Sequence, residues 1–582
     1  MSVPRKRPRE PIAVVGMACR SAGADSAAQF WELVRTARSV IAQVPTERVP
    51  GYTELTGDDE GLLRAGLMGS IDRFDADFFG IKPAVVAAID PQHRLLVETC
   101  WQALESAAIP ASAVAGEDVG VFAGVNSYDY RERAVRYGAV CGFTLAGTLH
   151  AFSANQLSYQ YDLHGPSITV DTACSSGLQA LTLAVSSLRS GQLDTAVVGA
   201  ANVICDGYYY ASLHEAGVLS QSGYSVPFDV NADGYLRGEG VVCLVLKRLS
   251  DAVADRDPVH MVIAGVAANH DGRTATPTAP SAVSQTELIA RALADAGVDG
   301  ADVGYVEAHG TGTRAGDPAE VAGITAGLGL TGRTAGGPDG KVWVGSVKAN
   351  IGHTEAASGL FGLIKAGFVL RSGVIPATPG FTRPHPDLPL DGVPVRIADT
   401  AVAWPHTRGP RLAGVNGFGF GGANVHLVLT EAPMAEAEET SVKLVVPLSA
   451  PTESALRRVA AGLAGHIQRE APPLSALAWS MQTGRVPMAE RVVVLPGGRE
   501  ELCRALRTTA AGEPHPLVAS TTQTGALADH PKNDMVRRWL AGEAIDWAGL
   551  WSGGDMPRRV PLPPYPFAGG SHWLAGMPPA IP

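Results

Sequence analysis

Three short segments carry side chains able to do covalent or acid–base chemistry. The first is Ile168-Thr-Val-Asp-Thr-Ala-Cys-Ser-Ser-Gly-Leu-Gln-Ala-Leu181. A β-branched strand ends at Asp171 and a helical pattern begins near Ser175, so Cys174 falls at a sharp strand-to-helix turn, as in a nucleophile elbow. A helix N-terminus favours a thiolate and leaves backbone N–H groups free to hold an oxyanion. A buried structural cysteine at a tight turn fits the same segment. The second is Gly304-Tyr-Val-Glu-Ala-His-Gly-Thr-Gly-Thr313, where a strand runs into His309 and a Gly/Thr loop opens. His309 lies beyond the carboxyl end of a strand, where ligands of parallel sheets bind, and Thr311 and Thr313 offer hydroxyls to a polar chain. The third, Gly345-Ser-Val-Lys-Ala-Asn-Ile-Gly-His-Thr-Glu-Ala-Ala-Ser-Gly-Leu360, repeats the shape of the first: strand, turn, His353, small-residue helix. That echo suggests two halves of similar build sharing one site. One thiol and two imidazoles suit a nucleophile with two N–H donors for an enolate. A Cys-His protease fits part of this inventory, but it needs one His with an orienting Asn or Asp.

The elements that must position these groups alternate. Short β-rich runs (118–124, 167–171, 195–204, 241–247, 261–267, 303–308, 342–347, 425–429) alternate with helical stretches such as 91–107, 177–190 and 285–296. Alternation of this kind implies α/β architecture around a largely parallel sheet. The dense pattern spans residues 11–431, and 329–340 reads as a surface loop. A short linker follows at 432–441. A smaller α/β unit then spans 442–556, with strands at 442–448 and 491–495 and helices at 451–470 and 499–512. Residues 557–582 form a Pro-rich tail suited to packing back along a surface. Residues 1–10 read as a disordered basic tip.

Bulk properties remove several classes. With 46 Lys+Arg against 57 Asp+Glu, the net charge of −11 argues against nucleic acid as a partner. No run approaches the ~18 apolar residues of a membrane span. Seven cysteines, odd in number and without C-x-x-C, make neither a disulfide framework nor a zinc cage. A reducing cytoplasm fits them. No metal is expected: no pair of the fifteen histidines has the i, i+4 zinc spacing beside a Glu. Gly417-Phe-Gly-Phe-Gly-Gly422 matches a dinucleotide fingerprint, but strand-like alternation follows it where a helix is required. Asp229 to Gly234 matches the opening of a calcium loop, whose twelfth position here is Gly240 rather than Glu.

Taken together, Asp171-Thr-Ala-Cys-Ser-Ser176, Glu307-Ala-His-Gly-Thr-Gly-Thr313, Lys348-Ala-Asn-Ile-Gly-His353 and Gly417 to Gly422 resemble the signatures of β-ketoacyl synthases. The resemblance is to the ketosynthase domains of modular type I polyketide synthases. Pro11 to Met17, Phe78 to Pro83, Asp90 to Leu95 and Ala232 to Glu239 fit the same group. The resemblance implies a thiolase fold, with duplicated βαβ halves in five layers (αβαβα), and a homodimer. It implies that Cys174 carries the acyl chain and that His309 and His353 drive malonyl decarboxylation and hold the enolate. Lys348 resembles the family lysine, with Glu320 as its carboxylate partner. Phe420 resembles the gate, its N–H joining that of Cys174 in the oxyanion hole. Thr311 and Thr313 resemble the contacts to the 4'-phosphopantetheine arm of an acyl carrier protein, the substrate carrier; no bound cofactor is implied. Two departures stand out. Gly177 occupies a position where many relatives have Ser, and the tail lacks the usual Arg before its final aromatic, around Ala568 to His572. Without a G-H-S-x-G acyltransferase motif, the expected arrangement is a ketosynthase with a flanking linker domain, served through the carrier by an acyltransferase acting in trans. Acyl transfer without elongation, and a non-catalytic carrier-docking scaffold, are the alternative readings.

Overall fold

The computed structural model describes residues 9–57, 63–406, 409–433, 444–521, 533–551 and 556–578. The basic tip up to residue 8, most of the linker and the first residues of the strand expected at 442–448 lie outside them.

The first half contains strands β1 (Ile12–Ser21), β2 (Gly120–Gly124), β3 (Ser167–Val170), β4 (Thr195–Asn202) and β5 (Gly240–Arg248). Its principal helices are α1 (Pro91–Ser106), α2 (Ala151–Tyr161) and α3 (Ser176–Arg189). The second half contains β6 (Met261–His270), β7 (Val303–Glu307), β8 (Val342–Gly345), β9 (Val395–Ile397), β10 (Leu412–Phe418) and β11 (Ala423–Thr430). Its principal helices are α4 (Ala282–Ala296), α5 (Gly316–Gly327) and α6 (Ser358–Ser372).

The strand order is β9-β8-β7-β10-β11-β6-β1-β5-β4-β2-β3. Read outward from the centre, the two halves are the same motif. β2 lies parallel to both β3 and β4, as β7 lies parallel to both β8 and β10. β4-β5-β1 run antiparallel, as do β10-β11-β6. A short antiparallel contact of Ile12–Val14 with Met261–Ile263 joins the halves. Half of the neighbouring pairs are therefore antiparallel. The expectation of a largely parallel sheet is corrected, because two strands of each half return through antiparallel neighbours rather than helical crossovers.

Helices α3 and α6 lie between the two half-sheets. Leu181 and Val185 of α3 and Leu360 and Ile364 of α6 join Val198 and Leu244 from one half and Val415 and Leu427 from the other in one buried cluster. A sheet face with a helix on each side must be apolar on both. The outer faces satisfy this: Leu95, Leu96 and Cys100 of α1 cover Val121, Val197 and Val245, while Ile289 and Ile324 cover Val306, Val344 and Val428. The result is five layers. Close approach is set by glycine where the layers meet. A Cβ on Gly124, at the end of β2, would sit 2.6 Å from the N of Gly177 at the start of α3. One on Gly177 would sit 2.8 Å from the Ala356 carbonyl O, which gives the departure at Gly177 a packing role.

Beyond residue 444, β12 (Val446–Ala450), β13 (Glu490–Val494) and β14 (Val518–Ser520) form a separate three-stranded antiparallel sheet. It is packed by α7 (Glu453–Glu470), α8 (Leu474–Thr483) and α9 (Arg499–Ala511). Helix α8 and strand β14 have no counterpart in the sequence expectation. The tail then returns to the first half. Gln102 Nε2 donates to the Tyr565 carbonyl (2.9 Å), Tyr565 N donates to Glu105 (2.7 Å), and Phe78 packs on both Tyr565 and Phe567 at ring-centroid distances of 4.8 and 5.0 Å.

Candidate active site

The matching topology places matching loops at one locus. Cys174 follows β3 and His353 follows β8, the equivalent strand of the other half; His309 follows β7 and the Phe418–Phe420 segment follows β10. Cys174 sits where α3 begins. The preceding Ala173 has φ +56°, a left-handed conformation that costs an ordinary residue energy and is held here by the turn. Ser176 Oγ donates to the Ala173 carbonyl (2.6 Å) and accepts from Thr172 N (2.9 Å); Asp171 accepts from Ala173 N (2.9 Å). The small residues around Cys174 are thus the clamp of a strained elbow.

The sulfur is half-buried and receives the backbone N–H groups of Phe420 and of Cys174 itself. These are the two donors expected for the oxyanion hole. The Phe420 ring is 53% exposed, on the Gly-rich turn between β10 and β11. A strand follows the turn, so the dinucleotide reading fails on geometry. The helix terminus does not make a low-pKa thiol. Burial pushes the Cys174 thiol up to about 12 and the nearby Glu355 carboxylate adds to this, while Lys348 and the two N–H groups pull the other way. Desolvation thus opposes the thiolate that the helix end favours.

The imidazoles of His309 and His353 meet edge to face, with ring centroids 5.5 Å apart and planes at 81°. Each has its Nδ1 occupied by a backbone donor: Phe418 N donates to His309 Nδ1 (3.4 Å) and Glu355 N donates to His353 Nδ1 (3.1 Å). A nitrogen that accepts carries no proton, so each ring bears its hydrogen on Nε2. Burial, and then the Lys348 charge, hold both imidazoles well below the usual histidine range, and His309 adds to the effect on His353. Both rings are neutral Nε2–H donors at neutral pH.

Lys348 is buried, and its ammonium donates to the His309 carbonyl. Burial lowers its pKa, opposed by Glu307, Glu320, Cys174 and Asp317. The expected direct pairing of Lys348 with Glu320 is replaced by a relay. Glu320 Oε1 accepts from His309 N and from Asn416 Nδ2, both at 2.7 Å, and Oε2 accepts from Gly310 N (2.7 Å). The carboxylate is spent on the backbone that carries His309, and it reaches Lys348 only through space. Thr311 and Thr313 lie on the same loop, half-buried, with hydroxyl oxygens 3.3 Å apart. Gly312 N donates to Asp317 (3.0 Å), which fixes the turn between them.

Several residues of this arrangement carried no assigned role in the sequence. Glu355 lies two residues beyond His353 with φ +45°, a strained geometry that presents its N–H to the ring. Its carboxylate pairs with Arg237 at 2.6 Å, both side chains buried. His353 N donates to the Leu236 carbonyl (2.7 Å) and Gly238 N donates to the His353 carbonyl (2.8 Å), so the segment 236–238 holds the imidazole's backbone from both sides. Asn416 was legible only as a polar residue inside an apolar strand.

Models described as β-ketoacyl synthase N-terminal domain, β-ketoacyl synthase C-terminal domain and ketoacyl-synthetase C-terminal extension match residues 9–252, 260–382 and 384–493. The chain is 39% identical over 552 residues to erythronolide synthase EryA3 of Saccharopolyspora erythraea, and 40% identical over 568 residues to polyketide synthase GfsA of Streptomyces halstedii. These alignments cover 94% and 93% of this chain but only 17% and 7% of those much longer proteins. The ketosynthase from module 6 of the Bacillus subtilis bacillaene synthase superposes with a TM-score of 0.86 at 32% identity, covering 97% of this chain and all of that one. The oxazolomycin ketosynthase domain OzmH KS7 of Streptomyces albus gives 0.88 at 32% identity, covering 98% of this chain and all of that one. The chain belongs to the β-ketoacyl synthase family, as a ketosynthase of the polyketide synthase type, an acyltransferase with the thiolase fold.

The neutral thiol has a direct consequence. Alkylation of Cys174 by iodoacetamide should rise about tenfold per pH unit from about pH 6.5 to about pH 9, because the thiolate fraction still grows throughout that range. A plateau reached below about pH 8 would mean that the helix end wins after all.

Proposed function

We propose that this chain elongates polyketide chains by decarboxylative Claisen condensation. The single observation that carries the reading is the pair of neutral Nε2–H imidazoles beside a thiol that has its own two N–H donors. In the first half-reaction the Cys174 sulfur attacks the thioester of an acyl carrier protein. The carrier's pantetheine thiol leaves with the electron pair and a proton. The carbonyl oxygen turns negative in the tetrahedral intermediate, where the N–H groups of Cys174 and Phe420 are aimed. In the second, malonyl on a carrier arm held by Thr311 and Thr313 loses CO2. The electrons of the broken C–C bond pass to the thioester oxygen as an enolate, which accepts hydrogen bonds from His309 and His353 Nε2. The α-carbon then attacks the Cys174 thioester, a C–C bond forms, the C–S bond breaks, and the sulfur leaves as a thiolate that takes a proton from solvent. Lys348 acts by keeping both rings neutral, and Glu320 by fixing the backbone of His309.

Elongation is favoured over simple acyl transfer because transfer needs the thiol and oxyanion hole but not two enolate donors. The intact thiol, oxyanion donors and imidazoles likewise argue against a non-catalytic docking scaffold. The extender is proposed to come from an acyltransferase acting in trans through the carrier. What supports this is internal: between the flanking sheet ending at Ser520 and the tail returning near Tyr565 there is no G-H-S-x-G segment. Residues 442–582 are read accordingly as a flanking linker domain and its strap. A cytoplasmic setting is proposed from the seven free cysteines, five of them buried; among the described residues no helix is long and apolar enough to cross a membrane. A homodimer is supported by the edge strand β3, which has one unpaired side among the described residues and an exposed Ile168, and by the exposed apolar side chains of Tyr159, Val140, Phe143 and Leu145.

Incubation with an acyl carrier thioester and malonyl carrier should give a carrier-bound product heavier by C2H2O, detected by intact mass. Cys174→Ala should abolish it. His309→Ala and His353→Ala should each slow malonyl decarboxylation by ~10²–10³-fold, the loss of one preorganised oxyanion donor, while Cys174 still accepts the acyl group. Transfer with unchanged acyl mass, or extension by Cys174→Ala, overturns the reading. Sedimentation should give a mass near twice 60.4 kDa. Leu145→Arg should lower it, and a wild-type monomer at micromolar concentration contradicts the dimer.

A further inference from the structure

The second half's loops supply the enolate donors. The equivalent loops of the first half leave the same edge of the sheet as the Cys174 loop, since β2 runs parallel to β3 and β4, and carry polar groups that the condensation does not use. Asn126 lies two residues beyond β2, the counterpart of the strand that ends at His309, and Tyr209 lies beyond β4, the counterpart of the strand that ends at Phe418. Both residues are half-buried. Asn126 Nδ2 donates to the Tyr209 hydroxyl oxygen at 3.4 Å. Arg237 lies 4.7 Å over the Tyr209 ring while its guanidinium pairs with Glu355, so the ring is fixed from the side of His353.

Two hydrogen-bonding valences remain. The Tyr209 oxygen already accepts from Asn126, so its own O–H is left to donate. Asn126 Oδ1 is buried and has no partner among the described residues. Buried unpaired acceptors are costly, and they persist at sites where something else completes them. The phenol stays protonated: the Glu355 carboxylate first, then burial, raise its pKa, and the Cys174 sulfur acts on it in the same direction.

We propose that Asn126 and Tyr209 form a specificity-determining pair that recognises a hydroxyl on the incoming acyl chain close to its thioester, so that the preferred substrate is a 3-hydroxyacyl group. One free donor and one free acceptor match a hydroxyl, which both donates and accepts; a methylene satisfies neither and a ketone only the donor. The inference rests on the elongation reading, since it concerns the acyl group that Cys174 receives. A group class capable of supplying this substrate is one that reduces a 3-oxoacyl thioester without dehydrating it.

The test is a competition for Cys174. Butyryl, 3-oxobutyryl, (R)-3-hydroxybutyryl and (S)-3-hydroxybutyryl thioesters of N-acetylcysteamine are offered to the full-length chain, and acylation of Cys174 is followed by intact mass. One hydroxybutyryl enantiomer should load roughly tenfold faster than butyryl, and faster than 3-oxobutyryl. Tyr209→Phe and Asn126→Ala should each bring the hydroxybutyryl-to-butyryl ratio down towards one. A merely structural role would slow all four substrates together and leave the ratio in place, so the ratio separates specificity from damage to the fold. The proposal is overturned if neither enantiomer exceeds butyryl by more than about twofold, or if the preference survives both substitutions. Failure of all four thioesters to label Cys174 would instead contradict the elongation reading itself.

Discussion

Two backbone N–H groups, those of Phe418 and Glu355, each end on the Nδ1 of an imidazole. The chemistry of the site depends on this contact. It fixes which nitrogen carries hydrogen, and it leaves two neutral Nε2 donors on neighbouring rings. In the proposed condensation a charged imidazolium would be a stronger donor, but it would lose its proton to the carbanion that it is there to stabilise. Burial and the Lys348 charge both oppose that proton. In that proposal the lysine acts as an electrostatic guard, and its ammonium is anchored on the His309 carbonyl.

The fold delivers these contacts by repetition. Equivalent strands of the two halves end at Cys174 and His353, and the two central helices pack against each other beneath them. Backbone strain falls on both of these loops: Ala173 and Glu355 take positive φ without being glycine. In each case the surroundings hold the turn. Ser176 and Asp171 brace the cysteine elbow, and the buried Arg237–Glu355 pair braces the histidine loop. A buried ion pair of this kind contributes little to stability on its own; its effect here is to hold the Glu355 backbone where its N–H meets the ring.

Much of this was legible in the sequence, for identifiable reasons. Strand-to-helix turns rich in Ala, Ser and Gly located Cys174 and His353, and the similarity between the two segments pointed to duplicated halves. Strand β-branching located most of the sheet, because both of its faces are covered. Other features were hidden. Antiparallel returns leave no mark on a continuously apolar strand, so β5 and β11 read like their parallel neighbours. The helix-end argument for a thiolate omitted desolvation, which depends on how deeply the sulfur sits. The partner of Glu320 could not be read from spacing, because its hydrogen bonds go to backbone N–H groups and to Asn416 on a strand ninety-six residues away. The contacts that set each tautomer are also main-chain donors, which side-chain patterns do not reveal.

The most direct test is the tautomeric state of the two rings. The protein is labelled with 15N in the histidine rings, and the signals are assigned by substituting His309 and His353 one at a time. Both rings should show a protonated Nε2 and an unprotonated, hydrogen-bonded Nδ1 at about pH 7.5, and both should stay neutral down to about pH 5.5, below the ordinary histidine midpoint. An imidazolium signal from either ring near pH 6.5, or a proton on Nδ1, would contradict the account.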